Sequence, residues 1–229
     1  MSMSQIVIDA VSKDYRVAND AIAAVRTVSL VIERGSFVSI VGHSGSGKTT
    51  LLSLIGGMVS PTSGRVLFNG EDIYTWTSDR LSEYRCEKVG FMFQSASLLP
   101  ILTAKENLML PVAFRSRQAP DGGGQEQKVE KLLHEVGLRD KINAYPAQLS
   151  GGQQRRVAIA RAFMNDPELI LADEPTGDLD EETENEMMQF FLRMNKEHGT
   201  TFVMVTHNSD LARQTQKHFR MDRGVIAPA

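Results

Sequence analysis

In the first third of the chain, apolar and polar positions alternate with period two over residues 5–9 and again over residues 28–32, while Phe37–Val41 is a short apolar run that ends in glycines. Alternation predicts strands buried on one face, and an unbroken apolar run bounded by turn residues predicts a strand buried on both. Residues 66–68 run into Asn69-Gly70, the dipeptide that favours a two-residue type I′ hairpin turn, and Pro61-Thr62-Ser63-Gly64 forms a turn cluster before them. A further strand over residues 89–93 leads into Gln94.

The period then changes. Val129, Leu132, Leu133 and Val136 recur at helical spacing, and Gly137 stands where a helix would be capped. Thr103 followed three residues later by Glu106 predicts a capping box at a helix start. Asp121-Gly122-Gly123-Gly124 is the one linker-like stretch. The last third alternates again: a helix after Ser150, a strand over residues 169–172, a helix over residues 181–197, a strand at Thr201–Thr206, and a helix starting at Asn208 or Ser209. Strands alternating with helices at both ends predict a largely parallel, doubly wound sheet, with the helical middle as an insertion. No internal repeat is present.

Composition narrows the function classes. The 229 residues suffice for one or two domains, and 25 Lys+Arg against 28 Asp+Glu give a net charge of -3. That balance argues against a nucleic-acid partner, which calls for a basic excess or stripe. The single Cys86 has no internal disulfide partner, in keeping with a reducing cytosol. Residues 1–10 lack the pattern of a signal peptide, and no stretch approaches the roughly 18 apolar residues of a spanning helix. A role at a membrane would therefore be played from outside the bilayer.

The strongest chemical signal is Gly42-His43-Ser44-Gly45-Ser46-Gly47-Lys48-Thr49, a complete G-x-x-x-x-G-K-[ST] motif, with Thr50 next and Leu51, Leu52, Leu54 and Ile55 continuing as a helix. Glycines let successive N–H groups turn inward around phosphate oxygens, and the new helix adds the positive end of its dipole. Lys48 supplies a compact charge for the β- and γ-phosphates, and the Thr49 hydroxyl is suited to Mg²⁺. The motif predicts a nucleoside triphosphate, while kinases, GTPases and transport ATPases all use it. Asp173-Glu174 closes the apolar run 169–172. Downstream of such a motif, Asp173 is the natural Mg²⁺ partner and Glu174 the general base toward a water, which favours hydrolysis to ADP.

Leu149-Ser150-Gly151-Gly152-Gln153, placed before a helix, closely resembles the signature of ABC ATPases. The resemblance covers roughly residues 5–225. It implies an α/β P-loop NTPase (RecA-like) core with a mostly parallel sheet, an antiparallel β subdomain, and an inserted helical subdomain that carries the signature. It further implies one ABC ATPase domain over residues 1–229, with the core in about 1–94 and 165–229 and the helical part in about 95–164. Ser150, Gly151, Gly152 and Gln153 would bind the γ-phosphate of ATP held by the opposite subunit. By the same resemblance, Tyr15 stacks on adenine, Gln94 reaches toward Mg²⁺ and the water, and His207 contacts the γ-phosphate. Asp178-Leu179-Asp180 matches the loop that touches the partner's phosphate loop, and ATP and Mg²⁺ are the implied cofactors.

Phe91, Phe93 and Gln94, then Leu98-Leu99-Pro100, Leu102-Thr103-Ala104, Glu106-Asn107 and Pro111, resemble the branch serving lipoprotein release, macrolide export and cell-division signalling, and so do residues 173–180. Asn is frequent in that branch where this chain has Asp178. The implied partners are a second copy of the chain and a separate integral membrane permease. The chain would then sit on the cytoplasmic face of the inner membrane, moving a lipid-like, lipoprotein, peptide or hydrophobic substrate. Residues 95–111 would help form a groove for a short permease helix, with Leu98, Leu99 and Ile101 either lining it or entering the core. ABC proteins of chromosome maintenance carry long coiled coils before the signature, and translation-associated ones two ATPase halves. Neither feature occurs here. A soluble ABC ATPase of cofactor assembly is the remaining alternative.

Overall fold

The computed structural model describes residues 4–17, 20–115, 123–177 and 179–229. Asp178 and the first two residues of the linker-like stretch, Asp121 and Gly122, lie outside them. Two sheets form. One is antiparallel, in the order β2 (Asp20–Glu33), β1 (Ser4–Val17), β4 (Ser63–Phe68), β5 (Glu71–Asp72). The other runs β10 (Val225–Pro228), β9 (Lys217–Asp222), β3 (Phe37–Val41), β8 (Thr201–Thr206), β7 (Leu169–Asp173), β6 (Val89–Met92). It is parallel except for its edge strand β10.

The apolar runs become central strands because both faces are covered. In β8, Phe202 and Met204 pack into one core with Phe37, Phe163, Phe190 and Phe191, while Val203 and Val205 pack into the other with Val38, Ile40, Leu51 and Leu54. The first core lies under α3 (Ala104–Ala113), α4 (Gly123–Glu135), α5 (Gly151–Ala162) and α6 (Glu181–His198), and the second under α1 (Lys48–Ile55) and the antiparallel sheet. Helices α3, α4 and α5 all fall between β6 and β7, so the predicted helical insertion is present and Ser150 caps its last helix.

Local chemistry fixes the ends. Asn69 (φ 50°) and Gly70 (φ 88°) make the predicted left-handed pair between β4 and β5. At α3, Glu106 N–H donates to Thr103 Oγ1 (3.3 Å) and Thr103 N–H to Glu106 Oε2 (2.8 Å), closing the capping box. Gly137 is left-handed, as its position after the helical run predicts.

Other expectations are corrected. Strands β1 and β2 extend well beyond residues 5–9 and 28–32, because bulges at Ala10 and Thr27, both at positive φ, shift the register and break the period-two pattern. Ser29 Oγ accepts from the Ala10 N–H, and Ser12 Oγ from the Thr27 N–H. Strand β6 stops at Met92, one residue short of the predicted end, and the helix after Asn208 is only α7 (Ser209–Ala212). Helix α2 (Ser78–Glu83) buries no residue and so leaves no apolar period to read.

The two sheets are tied by ions at one end. Glu168 meets Lys88 and Arg34 at 2.9 Å each, and Arg34 also donates to Asn69 Oδ1 at 2.8 Å. Burial alone would push the Glu168 carboxyl up, but the hydrogen bonds from Lys88 and Arg34 outweigh it and hold the group below its ordinary value. A depressed carboxylate stabilises the fold above its unfolded value of about 4.3 and ceases to as pH falls through the lower folded value. Relative to Glu168→Gln, the natural chain should therefore be more stable at pH 7 by roughly 0.5–1 kcal/mol, as expected for a partly exposed network. Urea titrations at stepwise lower pH should show that advantage shrinking below about pH 4.3; an advantage unchanged at pH 3 would refute the assignment.

Candidate functional site

Parallel strands deliver the following loops to one edge of the sheet. Residues 42–47 follow β3, Gln94 follows β6 by one residue, Glu174 follows β7 and His207 follows β8. Together they border a cavity of about 570 Å³ that Tyr15 closes from β1.

The loop after β3 is held by its surroundings. A side chain on Gly47 (φ 107°) would place Cβ 2.2 Å from the Ala24 carbonyl oxygen, and one on Gly42 would stand 2.3 Å from the Met221 carbonyl oxygen. Both positions thus exclude any other residue. The Gly224 N–H donates to the Ser46 carbonyl at 2.9 Å, fastening the loop to the β9–β10 turn. Lys48 is folded inward, its Nζ donating to the carbonyls of Gly42 (2.6 Å) and His43 (3.1 Å). Helix α1 begins at Lys48, with its free N–H groups and positive dipole end turned to the loop.

Across the cavity, Thr49 Oγ1 donates to Asp173 Oδ2 at 2.8 Å. Burial pushes the Asp173 carboxyl up and the neighbouring Glu174 adds to this, while the bond from Thr49 and the Lys48 and Arg155 charges oppose it. Glu174 adopts a left-handed backbone (φ 47°), unusual for a residue with a side chain. Its N–H still donates to the Val205 carbonyl (2.9 Å), and its Oε2 faces His207 Nδ1 at 2.9 Å and accepts from the His207 N–H at 3.2 Å. Such strain is kept where the surroundings impose it, and here it turns the carboxylate onto the histidine.

Of the residues singled out from the sequence, Tyr15, Ser44, Gly45, Ser46, Gly47, Lys48, Thr49, Thr50, Gln94, Asp173, Glu174 and His207 line this one cavity. Gly42 stands just behind it, contributing its carbonyl to Lys48. Ser150, Gly151, Gly152, Gln153 and Asp180 do not line it. Ser150 is exposed and caps α5, accepting from the Gln153 N–H (3.2 Å) while its own N–H donates to Gln153 Oε1 (2.9 Å). Asp180 caps α6 in the same way, and the bonds from the Thr183 N–H and hydroxyl hold its carboxyl below the usual range.

Arg155 borders the cavity without having been marked by any motif. It is 2% exposed, within α5, and its guanidinium donates to the carbonyls of Phe93, Gln94, Glu174 and Pro175. Nothing in the local sequence signals it, because its partners lie 19 to 62 residues away.

This arrangement has known counterparts. The family model described as "ABC transporter" matches residues 25–177. The chain belongs to the ABC transporter family. It is 42% identical over 226 residues to the macrolide export ATP-binding/permease protein MacB of Syntrophobacter fumaroxidans, covering 99% of this chain and 32% of that one. It is 40% identical over 215 residues to the lipoprotein-releasing system ATP-binding protein LolD of Idiomarina loihiensis, covering 94% of this chain and 93% of that one. The chain thus spans about a third of the MacB relative and nearly all of the LolD relative.

Among solved structures, the dimeric cassette MJ0796 of Methanocaldococcus jannaschii superposes with a TM-score of 0.92 at 41% identity, covering 96% of each chain. A second dimer of that protein, a post-hydrolysis state bound to ADP and Pi, gives 0.91 at 40% identity over 97% of this chain and 98% of that one. The fold of this ABC cassette is the α/β P-loop NTPase fold, with an antiparallel β subdomain and a helical insertion carrying Ser150.

Replacing Gly47 with Ala sets a Cβ against the Ala24 carbonyl and imposes left-handed strain of about 1–2 kcal/mol on a residue with a side chain. Calorimetric titration of Gly47→Ala with ATP should show at least a tenfold loss of affinity, with the far-UV spectrum unchanged. Full affinity in that variant would mean that the loop does not hold the phosphates.

Proposed function

We propose that the chain is a single ABC ATPase domain that binds Mg-ATP and hydrolyses it to ADP and phosphate as the motor subunit of a transport machine. Two copies close around two nucleotides and drive a separate integral membrane permease. The observation that carries this reading is the division of the site. The phosphate loop, the Asp173-Glu174 pair and His207 share one cavity, while Ser150, exposed at the start of a second helix, does not line it.

Within the cavity, the N–H groups of residues 44–50 and the Lys48 ammonium hold the β- and γ-phosphates, and Tyr15 packs on the adenine. Thr49 and Asp173 offer a hydroxyl and a carboxylate 2.8 Å apart, hard oxygen donors that would hold Mg²⁺ together with the Gln94 amide. Magnesium bound there would neutralise charge gathering on the phosphate oxygens. Glu174 takes the proton of the attacking water, and His207, facing it at 2.9 Å, orients that carboxylate and meets the γ-phosphate. Ser150, Gly151, Gly152 and Gln153 form a helix N-terminus for the γ-phosphate held by the other copy, and Asp180 lies toward the partner's phosphate loop.

For the permease, a cavity of about 670 Å³ beside β6 combines Phe91, Pro111 and Phe114 with charged residues such as Glu83, Arg85 and Arg161, and Leu99 and Ile101 are exposed while Leu98 packs on the core. An amphipathic permease helix suits that mixed lining. No helix among the described residues is long and apolar enough to cross a membrane. We place the chain on the cytoplasmic face of the inner membrane through its permease. The macrolide-export and lipoprotein-releasing relatives favour a lipid-like, lipoprotein, peptide or hydrophobic substrate.

Glu174→Gln should bind ATP normally, hydrolyse it at least a hundredfold more slowly, and elute as an ATP-dependent dimer in size-exclusion chromatography; turnover at the natural rate would remove the base assignment. Ser150→Phe should abolish cooperative turnover while the monomer still binds ATP in an equilibrium titration. Loss of binding itself would count against a role for Ser150 in the opposite site.

A further inference from the structure

Arg155 is not explained by any motif, yet it occupies the junction of three backbone segments. Its Nε donates to the Pro175 carbonyl at 2.8 Å and one terminal nitrogen to the Phe93 carbonyl at 2.5 Å. The same nitrogen also donates to the Gln94 carbonyl, and the other terminal nitrogen to the Glu174 carbonyl. A guanidinium is a planar fork of donors that is always charged, so it can join several carbonyls in one fixed geometry, which an ammonium cannot do. Burying that charge is costly unless it is fully hydrogen-bonded and near compensating charge. Arg155 is 2% exposed, its guanidinium donates to four carbonyls, and its charge acts on the Asp173 carboxyl.

The carbonyls it takes are selective. Two belong to Gln94 and Glu174, whose side chains border the cavity, and Glu174 is the residue whose left-handed backbone turns its carboxylate to His207. Six residues further along α5, Arg161 donates to the carbonyls of Ser97 (2.9 Å) and Ala96 (3.0 Å), clamping the same segment but reaching neither Gln94 nor Glu174. Helix α5 begins at Ser150, so one rigid element presents Ser150 outward and grips the backbone of both water-facing residues from behind.

We propose that Arg155 is a positioning residue for hydrolysis: it holds the backbones of Gln94 and Glu174 in the register at which their side chains meet the water and the γ-phosphate. The inference rests on the roles proposed for those two residues.

The test compares the purified chain carrying Arg155→Gln, Arg155→Lys and Arg161→Gln by steady-state ATPase kinetics, ATP titration and thermal melts. Arg155→Gln should keep ATP affinity within about twofold, keep KM within about threefold, and lower kcat at least tenfold. Arg155→Lys, which retains the charge but cannot span all the carbonyls, should fall between it and the natural chain. Arg161→Gln, which loosens the segment only at Ala96 and Ser97, should keep kcat within twofold. The proposal is overturned if Arg155→Gln and Arg155→Lys both turn over within twofold of the natural rate, if Arg161→Gln loses as much kcat, or if both Arg155 variants lose ATP binding or the fold along with turnover. Full activity in Glu174→Gln would instead remove the underlying reading, and a dead Glu174→Gln beside an active Arg155→Gln would remove this inference alone.

Discussion

A loop that offers most of its N–H groups to a ligand cannot spend them on itself; within residues 42–47 the Ser46 N–H turns back to the His43 carbonyl at 3.1 Å, and much of the structure follows from holding the rest open. Residues 42–47 must be held from outside, at their carbonyls and by close packing. Ala24 on β2 and Met221 on β9 press against Gly47 and Gly42, and Gly224 donates to the Ser46 carbonyl. Those contacts come from both sheets, so the antiparallel layer and the β9–β10 edge are part of the cradle. The Arg26 N–H, donating to the Gly224 carbonyl at 2.8 Å, joins the two layers at the same point.

The opposite side of the cavity carries the complementary problem, acids that must stay poised in a partly dry place. Asp173 is buried beside Glu174, which raises the cost of its charge, and Thr49, Lys48 and Arg155 lower it. In the proposed reading, Thr49 and Lys48 would also serve the phosphates, while Arg155 holds the backbone beside them. The network is satisfied in parts by groups that a nucleotide would recruit, since Lys48 now spends its donors on the carbonyls of Gly42 and His43. A triphosphate offers that ammonium stronger, charged acceptors than two neutral carbonyls, so binding would exchange weaker hydrogen bonds of Lys48 for stronger ones.

How much of this was legible in the sequence depended on whether the signal was local. Phe37–Val41 and Thr201–Thr206 read as strands because both their faces are buried and their residues are largely apolar, with Ser39, Thr201 and Thr206 the polar members. The Asn69-Gly70 turn, the Thr103–Glu106 box and the phosphate loop were equally plain, since each is defined by neighbours within a few residues. Strands β1 and β2 were read short because bulges at Ala10 and Thr27 interrupt the alternation, and α2 was missed because it buries nothing. The edge hairpin β9–β10 was missed as well, since among its residues only Met221 is buried. At the site, Gln94 and His207 are single residues without a local pattern, and only family resemblance singled them out. Arg155 escaped even that, because what defines it is a set of carbonyls contributed by distant turns.

Ser150 stands at an open helix start, that of α5. Its side chain and that of Gln153 satisfy two N–H groups at the start of α5, those of Gln153 and Ser150, yet Gly151 has no atom within 4 Å of where a side chain would extend, and Ser150 itself is exposed. A helix start left open in this way, with glycine keeping the approach clear, is suited to a large anion and not to its own chain. The cavity, which Ser150 does not line, carries donors for phosphates on its loop side and the Asp173 and Glu174 carboxylates opposite them. In the proposed pair, a second copy turned to face the first would bring each cavity against the other's α5 start and yield two identical sites. Because α5 also grips Gln94 and Glu174 from behind, the same helix that completes one site in such a pair is bonded to the residues that would act in the other.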